Sequence, residues 1–148
     1  MVFVQETKSS MDKIREIHNK WLIKYEYLCG GILTLWDPQK FGVLDAKASR
    51  NYLSLVCQPL GDQKICMIAN VYGPQKLEDK IKLHTSIEEL RARHPSMPSI
   101  VARDFNMIRY ITEKKGGIRQ LGRDSMAFQN FIRNMGLVDT KAINETFT

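Results

Sequence analysis

The sequence predicts a mixed α+β fold, an α/β sandwich in which helices cover packed sheets. Three observations predict it. Short β-rich runs follow one another closely over residues 25–72, divided by glycine, proline and aspartate turns. Three other stretches space their apolar residues at the helical period. The 148 residues, 43% hydrophobic and 26% charged, suit one soluble globular domain, so a single domain over 1–148 is expected rather than separate cofactor and substrate halves.

Taken in order, Val2 to Gln5 is a short β run, and Ser9 with Asp12 forms a helix-capping pair. Over Ser10 to Leu22, Ile14, Ile17 and Trp21 make one apolar face, with Asp12, Lys13, Arg15 and Lys20 on the wet side. Five strands follow: Tyr25 to Cys29, Ile32 to Trp36 after Gly30-Gly31, Phe41 to Ala48 after Asp37-Pro38, Tyr52 to Gln58, and Ile65 to Tyr72 after Gly61-Asp62. Their spacing predicts antiparallel pairing. A second helix spans Leu77 to Arg93, with Leu77, Ile81, Ile87 and Leu90 as its stripe, and Pro95 and Pro98 prevent its continuation. Ser99 to Asp104 reads as a buried strand through Ile100, Val101 and Ala102. A third helix, Ser125 to Met135, carries Phe128, Phe131, Ile132 and Met135 and closes at Gly136. Leu137 to Asp139 and Thr146 to Thr148 look like the start of another hairpin.

Charge and cysteine usage narrow the function classes. The formal net charge of +6 and a pI near 9.3 point toward a polyanionic partner. Cys29, Cys57 and Cys66 are odd in number and lack C-x-x-C spacing, which fits neither a disulfide framework nor a zinc ribbon. Without a basic leader or a long apolar run, secretion and membrane spanning are not expected, and a nuclear or cytoplasmic location is. The Asn144-Glu145-Thr146 sequon is then without consequence.

Three strand ends present side chains suited to metal and phosphate: Gln5-Glu6-Thr7-Lys8, Asn70-Val71-Tyr72-Gly73-Pro74 and Asp104-Phe105-Asn106. A hard cation needs carboxylate oxygens on rigid elements, and Glu6 with Asp104 would supply them if the strand ends converge. Any one such carboxylate is ordinarily a solvated or capping group. In order and wording, however, the three motifs together resemble the endonuclease/exonuclease/phosphatase superfamily, most closely the endonuclease domains of plant-type LINE (non-LTR) retrotransposons. Gly30-Gly31-Ile32, Leu137-Val138-Asp139 and Thr146-Phe147-Thr148 extend the resemblance over essentially the whole chain.

That resemblance implies a four-layer deoxyribonuclease-like fold and Mg²⁺-dependent (or Mn²⁺-dependent) hydrolysis of a DNA phosphodiester. It makes Glu6 the metal ligand, with Lys8 as an accessory. Tyr72 would serve at the scissile phosphate or leaving group, Asp104 would orient and deprotonate the attacking water, and Asn106 would hydrogen-bond the phosphate. It also exposes departures. The family's preceding asparagine strand, a later aspartate strand and the final Ser-Asp-His strand are not in this sequence. Arg103 stands where the family has glycine before the aspartate, and a long cation there is expected to crowd the metal; Glu145 replaces a glycine before Thr146. The expectation is therefore a partial domain, incomplete at its sheet edges, with weak or no nicking activity and a tendency to self-associate.

The alternative is a non-enzymatic nucleic-acid-binding remnant that uses the basic stretch Arg109, Lys114, Lys115, Arg119 and Arg123, where Glu113 is the only acid. The bland reading of that stretch is a solvated surface loop. Gly117 and Gly122 have P-loop spacing, but Arg123-Asp124 follows where Lys and Ser or Thr are required, so a nucleotide loop is rejected. His18, His84 and His94 lack ligand spacing and read as surface or helix-end residues.

Overall fold

In the computed structural model the described residues are 1–6, 24–28, 31–107 and 122–140, with Asp12, Lys13, Arg15, Glu16 and Asn19. Of strand 24–28 and of Arg103 only the backbone is described, so the expected crowding by Arg103 lies outside the described side chains. So does most of the helix expected over Ser10 to Leu22; its five described residues are helical and exposed.

Seven strands and two helices make up the described regular structure: β1 (Val2–Val4), β2 (Lys24–Leu28), β3 (Ile32–Trp36), β4 (Phe41–Ser49), β5 (Tyr52–Pro59), β6 (Cys66–Tyr72), α1 (Leu77–Ala92), β7 (Ser99–Asp104) and α2 (Arg123–Met135). The chain divides into two compact units. Residues 1–74 and 95–105 form a sheet unit, and 75–94 with 106–148 form a helical unit. The architecture is mixed α+β.

Turn chemistry sets the strand connections. Asp37 Oδ1 accepts from the Gln39 N–H at 2.8 Å and Asp62 Oδ1 from the Lys64 N–H at 3.0 Å. Each is an aspartate closing its own turn. Strand pairing is antiparallel from β4 through β6, and β2 pairs with β3 in the same sense. Two pairings depart from neighbour-to-neighbour order. β1 adds antiparallel to the far side of β3, giving the order β1-β3-β2, and β7 runs parallel to β6, giving β4-β5-β6-β7. The α1 crossover between β6 and β7 is what a parallel pair requires.

The core of the sheet unit follows from these orders. β6 is central and reads as a continuous apolar run, with Met67, Ile68, Ala69 and Val71 buried, as expected of a strand covered on both faces. β4 is an edge strand whose middle is exposed; it carries Asp45, Lys47 and a register shift between Val43 and Asp45, devices that discourage edge-to-edge pairing. Among the described residues β7 is the other edge. There the expectation of a buried strand fails: Ile100 is 54% exposed and Val101 and Ala102 are only half-buried. A strand with one hydrogen-bonded neighbour has less cover than its apolar content suggests.

In the helical unit α2 buries Phe128, Phe131 and Ile132, with Met135 half-buried, and ends at Gly136 in left-handed backbone (φ +62°), where only glycine is free of strain. The stripe of α1 differs from the predicted one. Ile81 is 47% exposed, whereas Lys80, Leu83, His84, Ile87 and Leu90 are buried. His84 is therefore not a surface residue. Its ring stacks on Phe131 at 4.4 Å between centroids, 14° from parallel. Apolar periodicity failed here because a histidine ring and a lysine stem pack as hydrophobic bodies. Residues 137–140 are irregular and Val138 is 86% exposed, so no strand forms at Leu137–Asp139. Residues Thr146 to Thr148 lie outside the described part. No helix among the described residues is long and apolar enough to cross a membrane.

Candidate active site

Asn70 builds the site from underneath. It sits in the middle of β6, fully buried, a polar residue in an apolar run. Its Nδ2 donates to the Leu33 carbonyl at 3.0 Å, to Thr34 Oγ1 at 3.2 Å and, at 3.5 Å, to the Val4 carbonyl, while its Oδ1 accepts from Gln5 Nε2 at 2.6 Å. One amide thus ties the four-stranded sheet to two strands of the three-stranded sheet. A buried amide left unpaired would cost about 1–3 kcal/mol, so satisfied donors and acceptors specify a single relative placement of β1 and β6.

That placement decides where the chemistry-bearing side chains fall. Tyr72 lies two residues beyond Asn70 and so projects from the same face of β6. Its hydroxyl donates to Glu6 Oε1, just past the end of β1. Asp104 is the register partner of Tyr72 on the parallel strand β7. Three residues from three separated motifs therefore gather at one end of the sheet unit. Asn106 belongs to the helical unit and follows directly after β7.

A glycine lets the two parallel strand ends close up. The Gly73 N–H donates to the Asp104 carbonyl at 2.5 Å, and a Cβ on Gly73 would lie 2.1 Å from the Phe105 carbonyl oxygen. Any side chain there would push Tyr72 and Asp104 apart. Asn51 adds a brace, its Nδ2 donating to the Tyr72 carbonyl at 3.1 Å.

Backbone strain marks two of the motif residues, one in each unit. Among the described residues, the only non-glycine positions with positive φ are Glu6 (+52°) and Asn106 (+51°). Such conformations cost free energy and persist where the surroundings over-determine them, often at functional sites. Both are residues singled out from the motifs.

The donor set near the strand ends consists of oxygens: two carboxylates and a phenol. No group of three or more His, Cys, Asp or Glu side chains placed to hold a metal occurs among the described residues. Zinc, which wants several nitrogen or sulfur ligands, does not fit. A hard ion bound through one or two carboxylates and completed by water and phosphate oxygens does fit this chemistry.

Of the basic residues expected to meet nucleic acid, Arg123 is described, exposed at the first position of α2. Arg109, Lys114, Lys115 and Arg119 lie outside the described residues, as does Lys8. The sequence motifs had included Asn70 and Gly73 without giving them a part. The signal for Asn70 was visible, an asparagine interrupting a β run where an unpaired amide would be costly. Cys57 and Cys66 are free, facing each other across β5 and β6 with sulfurs 3.6 Å apart. Burial and the neighbouring Cys66 push the Cys57 thiol up to about 12, which keeps it protonated and unreactive at neutral pH. No protein-family model matches the chain, and no match is found among curated proteins.

Proposed function

We propose that this chain is a metal-dependent DNA phosphodiester hydrolase of the endonuclease/exonuclease/phosphatase type, of LINE retrotransposon origin, built on a four-layer deoxyribonuclease-like fold. One observation carries the reading. Tyr72 stands between two residues far apart in sequence: its hydroxyl bonds the Glu6 carboxylate, and its backbone is the register partner of Asp104 on the neighbouring strand.

In this reading Glu6 and Asp104 would hold Mg²⁺ or Mn²⁺, which when bound would stabilise negative charge on a phosphate oxygen. The roles of the protein's own groups follow from their chemistry. Tyr72 orients the Glu6 carboxylate through its hydroxyl and can donate a proton toward a phosphodiester oxygen. Asp104 accepts a proton from water at the strand end. By the resemblance, Asn106 would hydrogen-bond a phosphate oxygen. The basic residues Arg109, Lys114, Lys115, Arg119 and Arg123 would follow the DNA backbone.

Supercoiled plasmid incubated with Mg²⁺ tests the proposal. Nicking above background, lost at least tenfold in Glu6→Ala and in Asp104→Asn, is the expected outcome. Salt-sensitive DNA binding without nicking would instead favour a non-enzymatic binding module working through the basic segment, and nicking untouched by both substitutions would rule out this site.

A further inference from the structure

Two thiols in the sheet unit take no part in the proposed chemistry, yet they face each other. Cys57 and Cys66 are register partners at the last rung of the β5–β6 ladder, both free, with sulfurs 3.6 Å apart. They differ in access. Cys57 is fully buried, whereas Cys66 is half-buried and directly follows the exposed run 61–65. Register partners on antiparallel strands have Cα atoms about 4.5–5.5 Å apart, inside the span of about 4.4–6.8 Å that a disulfide bridges. Side-chain rotation therefore brings the sulfurs to bonding distance with the backbone in place.

We infer that Cys57 and Cys66 form a reversible thiol–disulfide site: a low-molecular-weight disulfide enters at Cys66, Cys57 resolves it, and the resulting bridge staples the β5–β6 hairpin. The inference is independent of the hydrolase reading. In the first step the Cys66 thiolate, its proton lost to water, attacks one sulfur of the small disulfide; that S–S bond breaks and one small thiol leaves. In the second, the Cys57 sulfur gives its proton to solvent, attacks the Cys66 sulfur and expels the other small thiol. The two protein thiols lose two electrons, and the small disulfide gains them as it becomes two thiols. Access fixes the order. Burial first, then the hydrogen bond and charge of Cys66, hold the Cys57 thiol at about 12, so Cys57 does not open the exchange. Once Cys66 is capped in a neutral mixed disulfide, the influences that come from its thiol are gone. Attack by Cys57 is then intramolecular, with an effective concentration that for well-oriented groups reaches about 10⁵ M. The bridge lies at the opposite end of β6 from Tyr72, so it ties the strands without covering the candidate active site.

Oxidised glutathione is the probe. The full chain is incubated with it at neutral pH, remaining thiols are alkylated, and tryptic peptides are mapped without reduction. Cleavage after Lys24, Lys40, Arg50, Lys64 and Lys76 puts Cys29, Cys57 and Cys66 on separate peptides, so every pairing is distinguishable. The expected product joins the Cys57 and Cys66 peptides, about tenfold or more in excess over any pair that includes Cys29, because the native strands hold these two sulfurs in reach. The order of steps is read from two variants. In Cys57→Ala the glutathione stays on Cys66, with no thiol to resolve it, and in Cys66→Ser the Cys57 thiol stays free. The bridged chain should unfold at a urea midpoint about 1 M higher, as closing a short loop in the unfolded chain requires, and dithiothreitol should restore the original midpoint. In the unaltered chain, pairs with Cys29 in the majority, glutathione persisting on Cys66, or both thiols found alkylated would overturn the proposal. Glutathione on Cys57 in Cys66→Ser would overturn the order of attack, and a bridge that leaves the midpoint unmoved would overturn the staple.

Discussion

The two units solve the same problem, a polar group inside an apolar core, in opposite ways. In the sheet unit the buried polar centre is neutral: Asn70 satisfies its amide with Gln5, Leu33 and Thr34. In the helical unit it is ionisable: Lys80 is held by Asn106 and Asp124, and one turn on His84 lies against Phe131. A neutral amide is indifferent to pH and reports only on geometry. The buried His84 imidazole makes stability depend on protons. The sheet unit should thus be sensitive to shape and the helical unit to acid, and the following experiments press on that contrast.

The largest effect is expected from Gly73→Ala. The added methyl has no room against the Phe105 carbonyl, which is backbone and cannot swing aside. A loss of about 3 kcal/mol or more in denaturant unfolding is anticipated, together with loss of any metal-dependent nicking, because the ends of β6 and β7 must separate. A neutral result would mean that Tyr72 and Asp104 do not need their close approach.

Asn70→Leu comes next. The shape is nearly kept but the amide is gone, leaving the Leu33 carbonyl and Gln5 without their partner. About 2–3 kcal/mol of destabilisation is expected, the same at pH 7 and pH 5.5. Pronounced pH dependence of that loss would erase the distinction between the units.

His84 gives the smallest and most selective effect. Burial first, and the Lys80 charge second, lower it from 6.5 to about 4. The unfolded chain therefore binds a proton below about pH 6.5 that the folded chain refuses until about pH 4, so stability falls as pH is lowered through that window. Roughly 1 kcal/mol should be lost between pH 7 and pH 5.5, and more toward pH 4. His84→Phe should flatten this limb of the pH profile in denaturant titrations; an unchanged limb would place the proton uptake elsewhere.

Much of the fold was legible because local rules were obeyed. The Asp37 and Asp62 turns, the antiparallel run from β4 to β6, and the Gly136 stop of α2 follow from residue chemistry over a few positions. Apolar periodicity misjudged α1, where Lys80 and His84 pack inward while Ile81 faces solvent. It also misjudged Ile100, whose exposure depends on β7 being an edge, a property of sheet order rather than of composition. Glu6, Tyr72, Asp104 and Asn106 could be picked from their motifs, but nothing local shows that Tyr72 would reach Glu6.

By itself, the sequence determined the element types, the turns and the chemical inventory, because these depend on side-chain propensity and spacing within a few residues. Only the tertiary structure decided that β1 joins β3, that β7 runs parallel to β6, and that Asn70 locks the sheets so that a glutamate, a tyrosine and an aspartate share one end. Long-range pairing rests on contacts between residues distant in the chain, and their free energy exists only once the whole unit has assembled.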